Sequence, residues 1–157
     1  MADVVLRELQ DEDLDAVFEQ MRDPEAVQMA AFTSRDPNDR SAFDAHMKRL
    51  RANPEIINRA ILRDGVLVGT IGSWVMEGER ELTYWIDRSV WGQGVASEAL
   101  RQFLEVVPAR PMYARAASDN RGSLRVLEKA GFRVTGTDMG YANARAGEIE
   151  ETLLQLD

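Results

Sequence analysis

The stretch WGQGVASEAL, Trp91–Leu100, places two glycines two residues apart, directly before apolar residues with helical spacing. A helix that begins after such a loop exposes unpaired backbone N–H groups, and its dipole adds positive potential there. Because glycine lacks a Cβ, the backbone of the loop can approach a ligand closely. Taken alone, the stretch fits two interpretations equally well: a tight turn that starts a helix, and a site for an anionic group such as pyrophosphate.

Two common phosphate-binding motifs do not fit this stretch. The P-loop G-x-x-x-x-G-K-[ST] requires a lysine after its second glycine, and none follows Gly94. The dinucleotide fingerprint G-x-G-x-x-G/A has Ser97 at its last position here, and the repeated βαβ units around it are missing. The loop therefore indicates neither a P-loop nucleoside triphosphatase nor a dinucleotide-binding domain.

The composition is that of one globular domain, expected to span residues 1–157, with 45% hydrophobic and 29% charged residues. No apolar run approaches the roughly 20 residues that span a bilayer, and the acidic N-terminus lacks a signal-peptide core. We therefore expect a cytoplasmic protein, monomer or homodimer, without membrane partners. The absence of cysteine and the single histidine, His46, argue against disulfides and against a zinc or thiolate metal site.

The formal net charge of −8 argues against nucleic-acid binding, which requires a basic surface. The same charge is compatible with a cationic partner such as an amine, and also with an ordinary solvated acidic surface. Charge alone does not choose between these interpretations.

Hydrophobic periodicity predicts an α+β (mixed α/β) fold, with a central sheet of about seven strands, of which the second to fourth are consecutive and antiparallel, and about four helices. The predicted strands are residues 4–9, 59–64, 66–75, 81–87, 112–117, 132–138 and 149–156. The predicted helices follow Asp11, precede Asn53-Pro54 (with His46 on the inward face, half-buried), begin after Gly94, and begin after Asp119 or Asn120. Residues 30–38 and 140–148 are predicted to be irregular.

A second motif lies downstream in ASDNRGSLRVLEKAGF, Ala117–Phe132, with the pattern N-x-x-S-x-x-x-L-E-K-A-G-F from Asn120 onward. Together with DRSVWGQGVASEAL, it resembles the GNAT superfamily of acyl-CoA-dependent N-acetyltransferases. More narrowly it looks like the Rim-type branch, named for enzymes that acetylate ribosomal-protein N-termini, in which Trp at the position of Trp91 is typical. The spaced pair of motifs covers roughly residues 82–132.

The resemblance implies acetyl-CoA as the cofactor, released as CoA after direct attack by a primary amine. Backbone amides from Gln93 to Ser97 would hold the pyrophosphate, and the pantetheine arm would lie like an extra strand along Tyr84–Asp87. It would bond the main chain near Ile86, between strands that splay to admit it. The cofactor-binding residues implied are Trp85, Ile86, Asp87, Trp91, Gly92, Gln93, Gly94, Val95, Ala96, Ser97 and Asn120.

Acetyl transfer requires a neutral amine and a donor to the oxyanion that forms at the carbonyl. An α-amine, with a pKa of about 8, is partly neutral at pH 7, whereas a lysine amine, at about 10.4, needs more help. Glu81 is the candidate general base, acting through water; the alternative is an exposed carboxylate at a strand end. Glu79 and Asp87 are weaker candidates, and a main-chain amide near Trp85 and Ile86 would meet the oxyanion.

The tyrosine that protonates the leaving thiolate in many members of the superfamily is replaced here by Leu127. That role is vacant, or passes to Ser123 or to water. Asn120 is expected to bond the pantetheine or an ordered water, to cap its helix, or both. Phe32 and Trp74 are expected on the acceptor side, with Met29 and the loop of residues 139–147.

The acceptor implied by the Rim-type resemblance is a protein or peptide N-terminus, and a small-molecule amine is the alternative. A different class, a non-catalytic acyl-CoA-binding module on the same fold, stays open because the tyrosine is missing. A structural domain without cofactor is the third possibility.

Overall fold

A seven-stranded sheet forms the centre of the computed structural model, which describes residues 3–157. The strands are β1 Val4–Glu8, β2 Ile57–Arg63, β3 Val66–Met76, β4 Glu79–Ile86, β5 Met112–Ala117, β6 Arg133–Ala142 and β7 Gly147–Leu156. The helices are α1 Leu14–Met21, α2 Pro24–Ala30, α3 Arg40–Ala52, α4 Val95–Val106 and α5 Arg121–Lys129. The strand order is β1-β2-β3-β4-β5-β7-β6. Neighbouring strands are antiparallel except β4 and β5, which are parallel.

This architecture confirms the predicted α+β class and the seven strands, but the described chain has five α-helices instead of about four. The additional helix is α2, whose first turn is fixed by two residues. The Asp23 carboxylate accepts a hydrogen bond from the Ala26 N–H at 3.0 Å, and Pro24 occupies a first-turn position, where its missing N–H costs nothing. Both signals were present in the sequence.

Strand β6 is longer than predicted. It continues to Ala142, where residues from 140 onward were expected to form a loop, because its second half pairs with β7 as far as Ala142 opposite Gly147. Only a short 3₁₀ helix, Asn143–Arg145, separates the two strands. The residues expected to be irregular before α3 do lack a helix or strand from position 31 to position 39.

The main hydrophobic core lies between the sheet and helices α4 and α5, where Leu100, Phe103 and Leu127 are almost fully buried. Side chains of β4 alternate between the two faces of the sheet. Tyr84 packs with this core, whereas Trp85 points to the other layer and its indole N–H donates to the Gln20 carbonyl in α1 at 3.1 Å. Within residues 3–157, no helix has the length and apolar character required to cross a bilayer.

The parallel pair β4–β5 opens into a gap at the centre of the sheet. The two strands pair only from Arg80 to Leu82, opposite residues 112–114, although β4 continues to Ile86 and β5 continues along β7 to Ala117. The last four residues of β4 therefore keep β3 as a partner on one side and have none on the other. The expected splaying of the strands is present in the structure.

Candidate active site

The glycine loop leads into the N-terminus of α4 with its backbone amides unpaired. Gly92 and Gly94 have φ of 74° and 80°, a left-handed conformation that disfavours a side chain. Gly94 is the N-cap and supplies no side-chain hydrogen bond. The Glu98 N–H donates to the Gly94 carbonyl at 3.1 Å, so the preceding N–H groups, those of residues 95–97, have no acceptor within residues 3–157. Such amides at a positive helix terminus form a cradle for an anion.

A groove of about 410 Å³ extends from this cradle along the end of β4. Its other walls come from α2, through Met29, and from the first turns of α5, through Gly122 and Arg125. The Trp91 indole N–H donates to the Ile86 carbonyl at 2.9 Å, which fixes the loop against the end of the strand. The groove thus joins the helix terminus to the open edge of β4.

Most of the residues expected to bind cofactor line this groove, and two do not. Those that line it are Trp85, Ile86, Trp91, Gly92, Gly94, Val95, Ala96, Ser97 and Asn120. The Asp87 carboxylate instead accepts the Ser89 N–H at 3.0 Å, and the residue lies in a separate depression beside Gln20. The Gln93 side chain contacts Arg63 on β2. The position of Asp87 in the motif did not give the direction of its side chain. For Gln93 the predicted contact is made by the backbone amide, so the direction of its side chain does not test it.

The backbone hydrogen bonds between β3 and β4 determine which amides of β4 face the gap. The Asp87 N–H donates to the Val68 carbonyl on β3 at 2.7 Å. Because an antiparallel strand directs alternate residues to each neighbour, the amide of Trp85 also faces β3, and those of Tyr84 and Ile86 face the gap. Of the two amides expected to meet an oxyanion, only that of Ile86 is on the open side.

A second cavity, of about 520 Å³, lies on the face of the sheet that carries α1 and α3. Phe32 and Trp74, the two residues expected on the acceptor side, line it together with Phe18 and Phe43. Met29 lines the groove instead, and no residue of 139–147 lines the cavity. His46 is exposed on α3 at this cavity rather than half-buried in a helix interface.

The turn between β6 and β7 supports the cavity from outside. The Asn143 side-chain amide donates to the Thr33 carbonyl at 2.8 Å, and the Ala144 N–H donates to the Ala31 carbonyl at 3.2 Å. These bonds hold the segment between α2 and α3, which carries Phe32. The turn therefore supports the wall of the second cavity that carries Phe32, and its own residues do not line that cavity.

Glu81 is buried in the second cavity, with 2% of its surface exposed, so it is not the exposed strand-end carboxylate of the alternative interpretation. Its Oε1 lies 3.5 Å from Nε of Arg115 on β5, and Arg115 also contacts Glu151 on β7 at 3.3 Å. Burial raises the pKa of Glu81, and the nearby Arg115 guanidinium opposes this. Glu79, the weaker candidate, is exposed.

The groove and the cavity meet at β4 and the start of α5. Both are lined by Tyr84, Trp85, Asn120 and Ser123. Asn120 caps α5 by accepting the Ser123 N–H at 3.3 Å, while its amide NH₂ has no acceptor in the described chain. Asn120 is thus able to cap the helix and still donate to a ligand at the junction.

The groove and the second cavity share lining residues and so form one site in which two substrates can meet, and the second cavity contains the buried carboxylate of Glu81. This is the arrangement of a group-transfer enzyme. Comparison with known proteins defines the class further. The family described as Acetyltransferase (GNAT) domain matches residues 3–133. The chain therefore belongs to the GNAT acetyltransferase family and is an N-acetyltransferase of that type.

Solved structures share the whole fold at low sequence identity. A putative phosphinothricin N-acetyltransferase is 21% identical over 99% of this chain and 98% of its own, with a TM-score of 0.80. RimJ from Mycobacterium smegmatis, in complex with CoA-disulfide, is 23% identical over 98% and 81%, with a TM-score of 0.83. A phosphinothricin acetyltransferase from Sinorhizobium meliloti, in complex with AcCoA, is 16% identical over 97% and 86%, with a TM-score of 0.81. No curated protein has a sequence that matches this chain significantly.

Proposed function

We propose that the protein transfers the acetyl group of acetyl-CoA to a primary amine, with the α-amine of a protein or peptide N-terminus as its acceptor. The observation that carries this proposal is the buried carboxylate of Glu81 in a cavity that joins the groove below the α4 N-terminus. The similarity to RimJ, at 23% identity, agrees with an N-terminal acceptor.

The groove fits acetyl-CoA, which supplies the acetyl thioester when bound. The unpaired amides of residues 95–97 suit its pyrophosphate, since they combine hydrogen-bond donors with the helix dipole. The open main chain of Tyr84, the open amide of Ile86 and the free NH₂ of Asn120 suit the amide groups of the pantetheine arm. Structures of two similar proteins contain CoA-disulfide and AcCoA, respectively.

The charges of the second cavity favour an amine acceptor. Its lining includes four carboxylates, of Asp36, Asp39, Glu81 and Glu151, against the single guanidinium of Arg115 and the imidazole of His46. This excess of negative charge attracts an ammonium ion. Burial raises the pKa of Glu81, which makes it a stronger base. An amine whose pKa is about 8 loses its proton more easily than one at about 10.4, so an α-amine is the better acceptor for this base.

A panel of acceptors tests the proposal through the release of free CoA. It contains short peptides with a free N-terminus, the same peptides with a blocked N-terminus and one lysine, and small primary amines including phosphinothricin. We expect the highest kcat/KM for the free N-termini. Higher values for a small amine, which the similarity to phosphinothricin acetyltransferases makes the second candidate, would change the acceptor class. If no amine raises CoA release above the rate of acetyl-CoA hydrolysis, the protein would be a non-catalytic acyl-CoA-binding module.

Replacing Arg115 with methionine is expected to move the acidic limb of the pH–rate profile to higher pH by about one unit. The general base must be ionised, so the rate rises with pH through the pKa of Glu81, and Arg115 holds that pKa down against the effect of burial. The measurement is kcat/KM against pH. Arg133→Met, which removes an exposed partner of Asp157, is the matched control and leaves the limb in place.

A further inference from the structure

The residue at the family's tyrosine position cannot provide a proton for the leaving thiolate, since Leu127 is a buried hydrocarbon side chain. A different hydroxyl lies close by. The Tyr84 hydroxyl oxygen is 2.7 Å from Oγ of Ser123, across 39 residues of sequence. The phenol comes from β4 and the serine from the first turn of α5, so the two hydroxyls meet between the strand and the helix.

This hydroxyl pair lies where the two substrates have to meet. Tyr84 and Ser123 both line the groove and the second cavity. Tyr84 belongs to the part of β4 that has no partner on the β5 side, and its own backbone amide faces that gap. A thioester bound along the gap would lie beside Tyr84. The hydroxyl pair is therefore placed to meet the leaving group, whereas Glu81 lines only the second cavity.

We propose that Tyr84, through its hydrogen bond with Ser123, supplies the proton that the departing thiolate takes. This inference rests on the proposed use of acetyl-CoA. Glu81 takes the proton that the amine nitrogen loses as the N–C bond forms. Tyr84 gives its hydroxyl proton to the sulfur, which keeps the electron pair of the broken C–S bond. Tyr84 then regains a proton, and Glu81 releases one, in exchange with solvent.

Tyrosine rather than serine is the proton source, because a phenol ionises far more readily than an aliphatic hydroxyl. In one arrangement the Ser123 hydroxyl donates to the phenol oxygen and orients the phenol, which protonates the sulfur itself. In the other, Ser123 gives its own proton to the sulfur and takes the phenol proton in its place. In both cases the negative charge comes to Tyr84. Burial raises the pKa of Tyr84, with the Ser123 hydrogen bond opposing, so the phenol stays protonated at neutral pH. Among the charged residues that line the two cavities, Glu81 and Arg125 lie nearest in sequence to Tyr84 and Ser123.

The test measures the pKa of the thiol of bound CoA, by the ultraviolet absorbance of its thiolate with protein in excess. A hydroxyl that donates to sulfur stabilises the thiolate and lowers this pKa. Tyr84→Phe removes the proton and keeps the ring, and we expect it to raise the thiol pKa by about one unit and to lower kcat by about 100-fold. Tyr141→Phe is the matched control, because Tyr141 is 61% exposed on β6 and lines neither cavity.

Ser123→Ala separates the two hydroxyls. A thiol pKa that is raised in Tyr84→Phe and raised less or equally in Ser123→Ala supports the proposal. A thiol pKa that is unchanged in Tyr84→Phe overturns it, and so does a shift seen in Ser123→Ala alone. Calorimetric titration of each variant with CoA shows whether it binds. If the wild type itself does not bind CoA, the proposed function fails, which differs from normal binding with an unshifted thiol.

Discussion

Replacing Glu81 with glutamine is expected to lower kcat by about 100- to 10,000-fold, the loss usual for a positioned general base. Glutamine keeps the shape of the side chain but cannot take a proton from the amine. Because Glu81 lines the second cavity and not the groove, the affinity of the variant for acetyl-CoA is expected to stay within about twofold of the wild-type affinity. Steady-state acetyl transfer and calorimetric titration measure the two effects.

Glu79→Gln is the matched control, since Glu79 lies two residues earlier on the same strand and is exposed. It is expected to retain wild-type kcat. A Glu81→Gln variant with a kcat within threefold of the wild type would remove Glu81 as the base.

The substitution Glu81→Gln also has an expected effect on the thermal stability of the protein. Burial raises the pKa of Glu81 above its unfolded value, so the favourable contribution of the protonated form is present at low pH. That contribution is lost as pH rises through the folded pKa. At neutral pH the ionised Glu81 therefore opposes folding, and glutamine is expected to leave Tm unchanged or to raise it. A lower Tm would indicate that the Arg115 ion pair outweighs the cost of burial.

Replacing Ser97 with glutamate is expected to weaken acetyl-CoA binding by about 100-fold or more. Ser97 lines the groove in the first turn of α4, beside the unpaired amides. A carboxylate there repels a pyrophosphate at short range, and at about 4 Å such a repulsion corresponds to several kcal/mol. Quenching of tryptophan fluorescence follows the binding, because Trp85 and Trp91 line the groove.

Ser97 is a better position for this test than Gly94. Gly94 has φ of 80°, so any side chain there strains the turn. A loss of binding in a Gly94 variant could then result from the altered turn rather than from the added charge. Glutamate in the first turn of a helix is favourable to the helix dipole, so Ser97→Glu is expected to fold normally. Ser97→Gln has nearly the same shape without charge, and its affinity is expected to fall by less than about tenfold. Equal losses in both variants would point to steric hindrance rather than to an anion site.

Most of the fold was predictable because local patterns and long-range packing agree. The period-2 pattern of β4 and the 3.6-residue pattern of α4 each specify one element, and the sheet pairs them as expected. Helix α2 was missed although Asp23 and Pro24 signal its start, since its seven residues carry little apolar periodicity. The second half of β6 was missed because Gly140 suggests a loop, and only the pairing with β7 makes it a strand.

The location of the glycine loop at a helix N-terminus was more predictable than the surroundings of Glu81. The cradle depends on one contiguous stretch, Trp91–Ser97, whereas the environment of Glu81 is built from three strands. Its burial and its contact with Arg115 require β4, β5 and β7 to be adjacent, which a single sequence does not show. Tyr84 was expected only to lie beside the pantetheine arm, and its partner Ser123 is 39 residues away. No local pattern links these two hydroxyls.

We propose that acetyl-CoA binds in the groove below the α4 N-terminus for transfer to an amine at the junction with the second cavity. Isothermal titration of the wild-type protein with acetyl-CoA is the test of this binding. One saturable site per chain, with a dissociation constant in the micromolar range and binding lost in Ser97→Glu, is the predicted result. Absence of heat at millimolar acetyl-CoA, or binding that Ser97→Glu leaves unchanged, would contradict it.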